Sequence, residues 1–489
     1  MALSFPKFGS PACSWIALAP LLVALSGRVT LGRAFFLGLA AGFVYFTGTL
    51  YWITRVMTVY GGLPTWVAVL VNLALISIQA LYPAAFALIV RRLVRAFGPT
   101  GLAAAPLVWV ATELGRSYIF IGFPWVLLGY SQATVLPIAQ AASIVGVYGV
   151  SALVVAVNAA AAAIVTGQTA AGRWRPIVAM AVVIAVVGGW GARRAAASEW
   201  TRQGDPIRVG LVQGNVDQAQ KWNLSSAAAI FNDYLAMTRR AIAQGATLVL
   251  WPESSTPFRF EDDAAGAELV RSTARQSHVS ILFGSDQVER GTPVKYYNSA
   301  FLVGDDGRTA GVYRKIHLVP FGEYVPFKRV FFFAAPLVEA VSDFSPGEDA
   351  VVLPLGTHRL STSICYEIIY PTLVRDFILN GSELLTTITN DAWFGPTSAP
   401  YQHFEQASMR AIEEGRYLVR SANTGVSGIV DPYGHVLAQT PIFERNVTVG
   451  EARFLRTQTI YSRIGDVFAY ASVAATIVML WFSRRRHVQ

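Results

Sequence analysis

The chain has 489 residues, of which 53% are hydrophobic and only 14% charged, with a mean hydropathy of +0.43. Soluble domains carry roughly 25% charge, so the composition excludes an ordinary soluble protein and points to one embedded in a membrane over much of its length. Its net charge of +9 does not mark a nucleic-acid binder, because the basic residues cluster between apolar segments. Two cysteines exclude a disulfide framework, and six scattered histidines offer no metal cluster.

Residues 1–200 are almost continuously apolar. A span needs about 20 residues, and charged or Pro/Gly breaks divide the stretch into segments 12–27, 34–53, 64–90, 101–117, 136–165 and 176–193. A seventh lies at 466–483. Basic residues follow the first (Arg28, Arg33), third (Arg91, Arg92, Arg95), fifth (Arg173, Arg175) and seventh (Arg484, Arg485, Arg486). The positive-inside rule then places the C-terminus in the cytoplasm and the stretch 194–465 outside. Trp52, Tyr60, Trp66, Trp125 and Trp200 fall near the outer boundaries, where an aromatic belt belongs. The same rule leaves the N-terminus outside, which predicts a further span ahead of residue 1. Glu113 and Arg116 end the fourth segment, placed to pair with each other or to meet a lipid head group.

From 205 to 455 the apolar runs become short and turn-bounded: Ile207–Gln213, Thr247–Trp251, Ser280–Ser285, Ser299–Val303, Arg359–Cys365, Leu384–Asn390 and Ser427–Val430. Helical patterns at 225–244, 264–277, 370–380 and 401–420 lie between them. Alternating strands and helices predict an α/β or layered α+β domain.

Three residues of this domain sit at strand ends. Glu253 follows Leu248-Val249-Leu250-Trp251-Pro252, where proline stops the strand. It reads as a partly desolvated general base or as an ordinary loop carboxylate. Lys315 is one of only five lysines among 39 basic Lys and Arg residues, and a compact ammonium suits an oxyanion as well as a solvated surface. His317, two residues on, reads as structural. Cys365 ends Arg359–Ile364 and reads as a nucleophilic thiol or a small buried hydrophobe. Glu367 reads as a helix N-terminal charge or a site carboxylate. Tyr366 and Trp222 read as pocket or core aromatics.

The Glu, Lys, Cys order, with Trp251-Pro252-Glu253, Cys365-Tyr366-Glu367 and Asn390-Asp391-Ala392-Trp393-Phe394, resembles the nitrilase (carbon-nitrogen hydrolase) superfamily. Membrane segments on both sides narrow this to a resemblance to the apolipoprotein N-acyltransferase family of bacterial inner membranes. Gly122-Phe123-Pro124-Trp125, Val212-Gln213-Gly214-Asn215, Lys221-Trp222 and His317–Glu323 match it as well. The resemblance implies a polytopic helical bundle at 1–200, a periplasmic nitrilase-like αββα sandwich at 205–455, and a final span at 466–483 with a cytoplasmic tail. The family usually has eight spans, where seven are counted here.

The resemblance further implies a ping-pong reaction. Cys365 takes an acyl chain from a phospholipid, usually phosphatidylethanolamine, as a thioester, and passes it to the α-amine of a diacylglyceryl-cysteine at a lipoprotein N-terminus. Glu253 is then the base, and Lys315 with the Tyr366 N–H holds the oxyanion. Glu323 and Glu367 support the site, and Trp222, Trp125, Asn390 and Trp393 contact substrate. No cofactor, metal or nucleic acid is implied. The lipid substrates make Phe331–Phe333 a candidate membrane-dipping loop. The rival enzymatic reading is a membrane-tethered amidase with water as acceptor. A transporter would want ionisable residues in mid-span, and the spans hold almost none.

Overall fold

The computed structural model describes residues 1–120, 122–167, 169–221, 224–325 and 343–485. Trp222 and the run Phe331–Phe333 lie outside the described residues. The chain divides into two units, one of Met1–Ala197, Thr397–Met409 and Thr459–Gln489, the other of Ser198–Pro396 and Arg410–Gln458.

The first unit is helical. Among the described residues, five segments are long and apolar enough to cross a membrane: Leu31–Leu50, Thr65–Tyr118, Ala142–Thr166, Gly172–Arg202 and Val467–Arg485. The 54-residue segment contains both 64–90 and 101–117, and a 3-10 turn at Gly98–Ala104 breaks it. The expected first span is the shorter apolar helix Pro11–Ser26. Gly38 and Gly42 lie one helical turn apart against Ala80, Pro83, Ala84 and Ala87. Without side chains at those two positions the helices approach closely, which favours packing in lipid, where dispersion replaces the hydrophobic drive.

The two charges at the end of the fourth segment turn to the loop that follows. Arg116 donates to the carbonyls of Trp125 (2.7 Å), Phe123 (3.3 Å) and Val126 (3.3 Å), and its guanidinium lies 5.1 Å from the Phe46 ring centroid. Glu113 Oε1 accepts from the Leu128 N–H at 2.7 Å. Both side chains are buried. A fork of rigid donors therefore serves three carbonyls of a non-helical segment, one of which, Val126, also accepts from the Tyr45 hydroxyl at 2.7 Å.

The second unit is a two-sheet sandwich. Its strands are β1 (Pro206–Gln213), β2 (Leu248–Leu250), β3 (Ser280–Glu289), β4 (Lys295–Val303), β5 (Thr309–Arg314), β6 (Leu353–Leu355), β7 (His358–Ile364), β8 (Leu384–Thr389), β9 (Leu418–Ala422), β10 (Gly428–Val430), β11 (Val436–Gln439) and β12 (Asn446–Arg453). One sheet has the order β12-β1-β2-β3-β4-β5 and the other β11-β10-β9-β8-β7-β6. In each the three central strands (β1 to β3, and β7 to β9) run parallel, and the flanking pairs are antiparallel. The parallel strands are buried over consecutive positions, as coverage of both faces requires. Helices Leu224–Ala243 and Ala264–Ser277 cover the first sheet, burying Phe231, Tyr234, Val270 and Ala274 with Val249, Trp251 and Phe283. The inner faces meet where Ser421 Oγ donates to the Val212 carbonyl (3.0 Å) and Gly450 leaves room for Ile429.

The expected strands are present, and β5, β6, β9, β11 and β12 add to them. The helix expected over 401–420 is corrected: it stops at Glu414, and Leu418–Ala422 is strand β9. Gly415, at φ 63, turns the chain left-handed at that point.

Replacing Arg116 by Lys keeps the charge but removes the fork. Each charge-assisted bond lost is worth about 1.5–3 kcal/mol, so Arg116→Lys lowers the melting temperature in detergent. An unchanged melting temperature contradicts the structural role.

Candidate active site

Cys365 sits where β7 turns into the 3-10 helix Cys365–Ile369. Its φ is +53, a left-handed conformation that costs a non-glycine residue about 1–3 kcal/mol. The side chain is 7% exposed. Burial pushes the thiol well above its ordinary pKa, the Glu253 charge adds to this, and Lys315 opposes it. The resting group is therefore a thiol.

Glu253 lies three residues beyond β2. A Cβ on Gly284 would stand 2.8 Å from Glu253 Cα, so a side chain there would displace it. Glu253 Oε1 accepts from Asn298 Nδ2 (2.8 Å) and Lys315 Nζ (3.2 Å), and Oε2 accepts from the Asn390 N–H (3.0 Å). Burial alone would raise its pKa, but Lys315, Asn298 and Lys221 outweigh burial and hold it below the usual carboxylate range. It is an ionised base.

Lys315 directly follows β5, and its N–H donates to the Asn298 carbonyl at 2.9 Å. At 1% exposed it is one of the most deeply buried charges, with Nζ 2.9 Å from Glu323 Oε1 as well as near Glu253. Burial favours its neutral form, yet Glu253, Glu323, Cys365 and Glu367 reverse that and raise its pKa above the ordinary value. Glu323 is fixed in turn by the Val319 N–H (2.7 Å) and by Asn298 Nδ2 (2.8 Å). One amide thus bridges both carboxylates.

Glu367 has a different task from direct support of the nucleophile. Its Oε2 accepts from the Ile364 N–H (2.7 Å), and Oε1 from the Tyr313 hydroxyl (2.7 Å) and the N–H groups of Ile316 (2.6 Å) and His317 (3.1 Å). One carboxyl ties the cysteine turn of the second sheet to the lysine turn of the first. Burial pushes its pKa up to about 7, against the pull of these donors and of Lys315. Its bond to the Ile364 N–H places Glu367 as the charge at the start of the 3-10 helix.

Tyr366 is buried and packs edge-on against Tyr370, with centroids 5.3 Å apart. His317 stacks on Tyr370 at 4.1 Å, and burial pulls its pKa down to about 4, so it is neutral at pH 7. Asn390 reaches Glu253 through its main chain, while its side-chain amide bonds Gln218 (2.6 Å) and Asn423 (3.0 Å). Trp393 lies on the turn Asp391–Phe394 and is partly exposed. Trp125 belongs to the helical unit, where its indole donates to Gln402 Oε1 at 2.8 Å and lies against His403. Glu253, Lys315, Cys365, Glu323, Tyr366, Glu367 and Asn390 are therefore brought together.

The sequence reading missed Asn298, the Asp391–Arg420 ion pair (2.9 Å, both buried) and Lys221 as a site residue. The scarcity of lysine was a usable signal for Lys221. Asn298 carries none, because its importance arises only from strand pairing.

Two family models match the chain. Residues 1–160 match the apolipoprotein N-acyltransferase N-terminal domain, and residues 208–460 match carbon-nitrogen hydrolase. The apolipoprotein N-acyltransferase of Geobacter metallireducens is 42% identical over 99% of this chain and 94% of its own. Those of Methylococcus capsulatus (34%; 99% and 94%) and Shewanella oneidensis (32%; 100% and 94%) are similar over comparable lengths. Among solved structures, an amidase from Nesterenkonia sp. aligns at 22% identity and a TM-score of 0.41, over 55% of this chain and 97% of that chain.

Glu367→Gln keeps the shape of the clamp but sets an NH2 group among N–H donors. Leaving buried donors unmatched costs about 1–3 kcal/mol. We expect alkylation of Cys365 by iodoacetamide to slow by about tenfold or more at pH 7. A rate equal to that of the unchanged protein would show that the clamp does not set the thiol.

Proposed function

Because the chain belongs to the apolipoprotein N-acyltransferase family, we propose that its second unit transfers an acyl chain from phospholipid to the α-amine of a diacylglyceryl-cysteine through a thioester on Cys365. It is a membrane protein with a lipid donor and a lipoprotein acceptor. Phosphatidylethanolamine is the donor we propose. We place the second unit in the periplasm of the bacterial inner membrane and the C-terminus in the cytoplasm, a reading supported by the alternation of arginine clusters between apolar segments.

In the first half-reaction Glu253 accepts the Cys365 proton as Sγ attacks the ester carbonyl of the donor. The negative charge that develops on the carbonyl oxygen is met by Lys315 Nζ and the Tyr366 N–H. The intermediate collapses, the ester C–O bond breaks, and Glu253 returns the proton to the departing lysophospholipid oxygen. In the second half-reaction the neutral acceptor amine attacks the thioester carbonyl. Glu253 takes its proton, the C–S bond breaks, and the proton passes to the leaving thiolate. An amide lies downhill of a thioester, so the sequence of steps needs no nucleotide.

The observation that carries this reading is the buried Glu253–Lys315 pair acting on a buried thiol. Lys315 and Asn298 both bind Oε1, and Oε2, which accepts one neutral N–H from Asn390, keeps a lone pair for the proton. Glu323 anchors Lys315 from the other side.

The test is the intact mass of the purified protein after incubation with phosphatidylethanolamine. A gain of one acyl chain is expected, absent in Cys365→Ser and slowed by about 10²–10⁴ in Glu253→Gln. Adding a diacylglyceryl peptide should discharge the adduct to the peptide amine. Fatty acid released at the same rate with and without peptide would instead establish water as the acceptor.

A further inference from the structure

Lys221 ends the short helix Gln218–Lys221 and is 5% exposed. Its Nζ lies 3.2 Å from the main-chain carbonyl of Glu253. Burying an ammonium costs several kcal/mol unless its surroundings repay it, so a lysine that merely filled this space would be worse than a methionine. The charged groups that act on it are Glu253, Asp286 and Cys365. Glu253 also feels Lys315, and Asp286 also feels Arg259 and Glu323.

The point of attachment matters. Lys315 and Asn298 already bind Glu253 Oε1, and the Asn390 N–H binds Oε2. A further cation bonded to a carboxylate oxygen would compete with the proton that Glu253 must accept. Lys221 Nζ bonds the Glu253 carbonyl, so this contact adds no cation to Oε2, which keeps a lone pair beside the Asn390 N–H.

We propose that Lys221 is a positioning residue of the transfer reaction, whose buried ammonium pins the main chain at Glu253 and supplies a second positive charge to offset the anion formed when Cys365 attacks or leaves. This rests on the acyl-transfer reading above. Lys315 alone neutralises one carboxylate of the Glu253 and Glu323 pair. As Glu253 takes the proton it loses its charge, and the negative charge moves to the oxyanion or thiolate, where Lys221 stands as a second cation beside Lys315. Burial lowers its pKa to about 8, against Glu253, Asp286 and Cys365, which raise it. The charge is therefore present at neutral pH and is lost as pH rises through that value.

The experiment follows acylation of Cys365 by phosphatidylethanolamine, as intact mass in a single turnover, for the unchanged protein, Lys221→Arg and Lys221→Met, from about pH 6 to about pH 10. The unchanged protein should slow as pH rises through about 8. Lys221→Met should be about tenfold slower or more below that pH and lack the descending limb. Lys221→Arg, charged throughout, should keep the rate within about threefold and carry the limb to higher pH. The donor's own titration is common to all three proteins. The proposal is overturned if Lys221→Met keeps the rate and limb of the unchanged protein, or if the limb stays in place in Lys221→Arg. If Lys221→Met does not fold, the limb in Lys221→Arg decides alone. Failure of the acyl-transfer reading looks different: the unchanged protein gains no acyl mass. Iodoacetamide alkylation of Cys365 in the same three proteins then reads the Lys221 charge without a donor, with Lys221→Met expected to be the slowest and equal rates overturning the proposal.

Discussion

A lysine ammonium held away from water between two carboxylates is the interaction on which the rest of the site depends. Lys315 is 1% exposed and lies 2.9 Å from Glu323 and 3.2 Å from Glu253. Such a group is stable only if every charge around it is matched, because unmatched charges at this depth cost several kcal/mol each. The neighbouring polar residues follow from that demand. Asn298 bridges the two carboxylates, the Asn390 N–H occupies the far oxygen of Glu253, and the Val319 N–H holds Glu323. The ion pair is thus a constraint on both sheets, since Asn298 and Lys315 come from the first and Asn390 from the second.

The same constraint shapes the chemistry. Burial keeps Cys365 protonated at rest, while Lys315 and Lys221 keep Glu253 ionised. A buried thiol and an ionised carboxylate therefore carry opposed proton affinities, an arrangement that suits the acyl transfer proposed for this site. The strained turn at Cys365 is held by Glu367, whose bonds to Ile364, Ile316 and His317 also fix the lysine turn. The cysteine turn and the lysine turn are thus tied by one carboxyl.

Much of this was legible in the sequence. Glu253 and Cys365 follow expected strands in the parallel part of each sheet, whose ends are delivered to one edge, and Lys315, one of only five lysines, stood out by its scarcity. Charged and Pro/Gly breaks likewise divided the apolar stretches into segments, and the five long apolar helices among the described residues correspond to six of the seven. The rest depended on contacts between residues distant in the chain. Asn298 and Glu253 meet only because β4 pairs with β3, and β3 with β2. The split role of Glu367 needed the two turns to be neighbours. Asn390 looked like a binding side chain, whereas its main-chain N–H does the work at Glu253. Arg116 and Glu113 had two open readings, and only the course of residues 122–128 shows that they fasten a loop. Strand β9 was hidden because Gly415 breaks an amphipathic pattern that otherwise reads on as helix.

The central claim is that Glu253 and Lys315 act as one unit on the Cys365 thiol. A double-mutant cycle on the rate of Cys365 acylation, with Glu253→Gln, Lys315→Met and the pair combined, tests it most directly. Groups that act together lose most of their effect when either is removed. The double variant should then be within about tenfold of the slower single variant. Losses that multiply across the two substitutions would contradict the account.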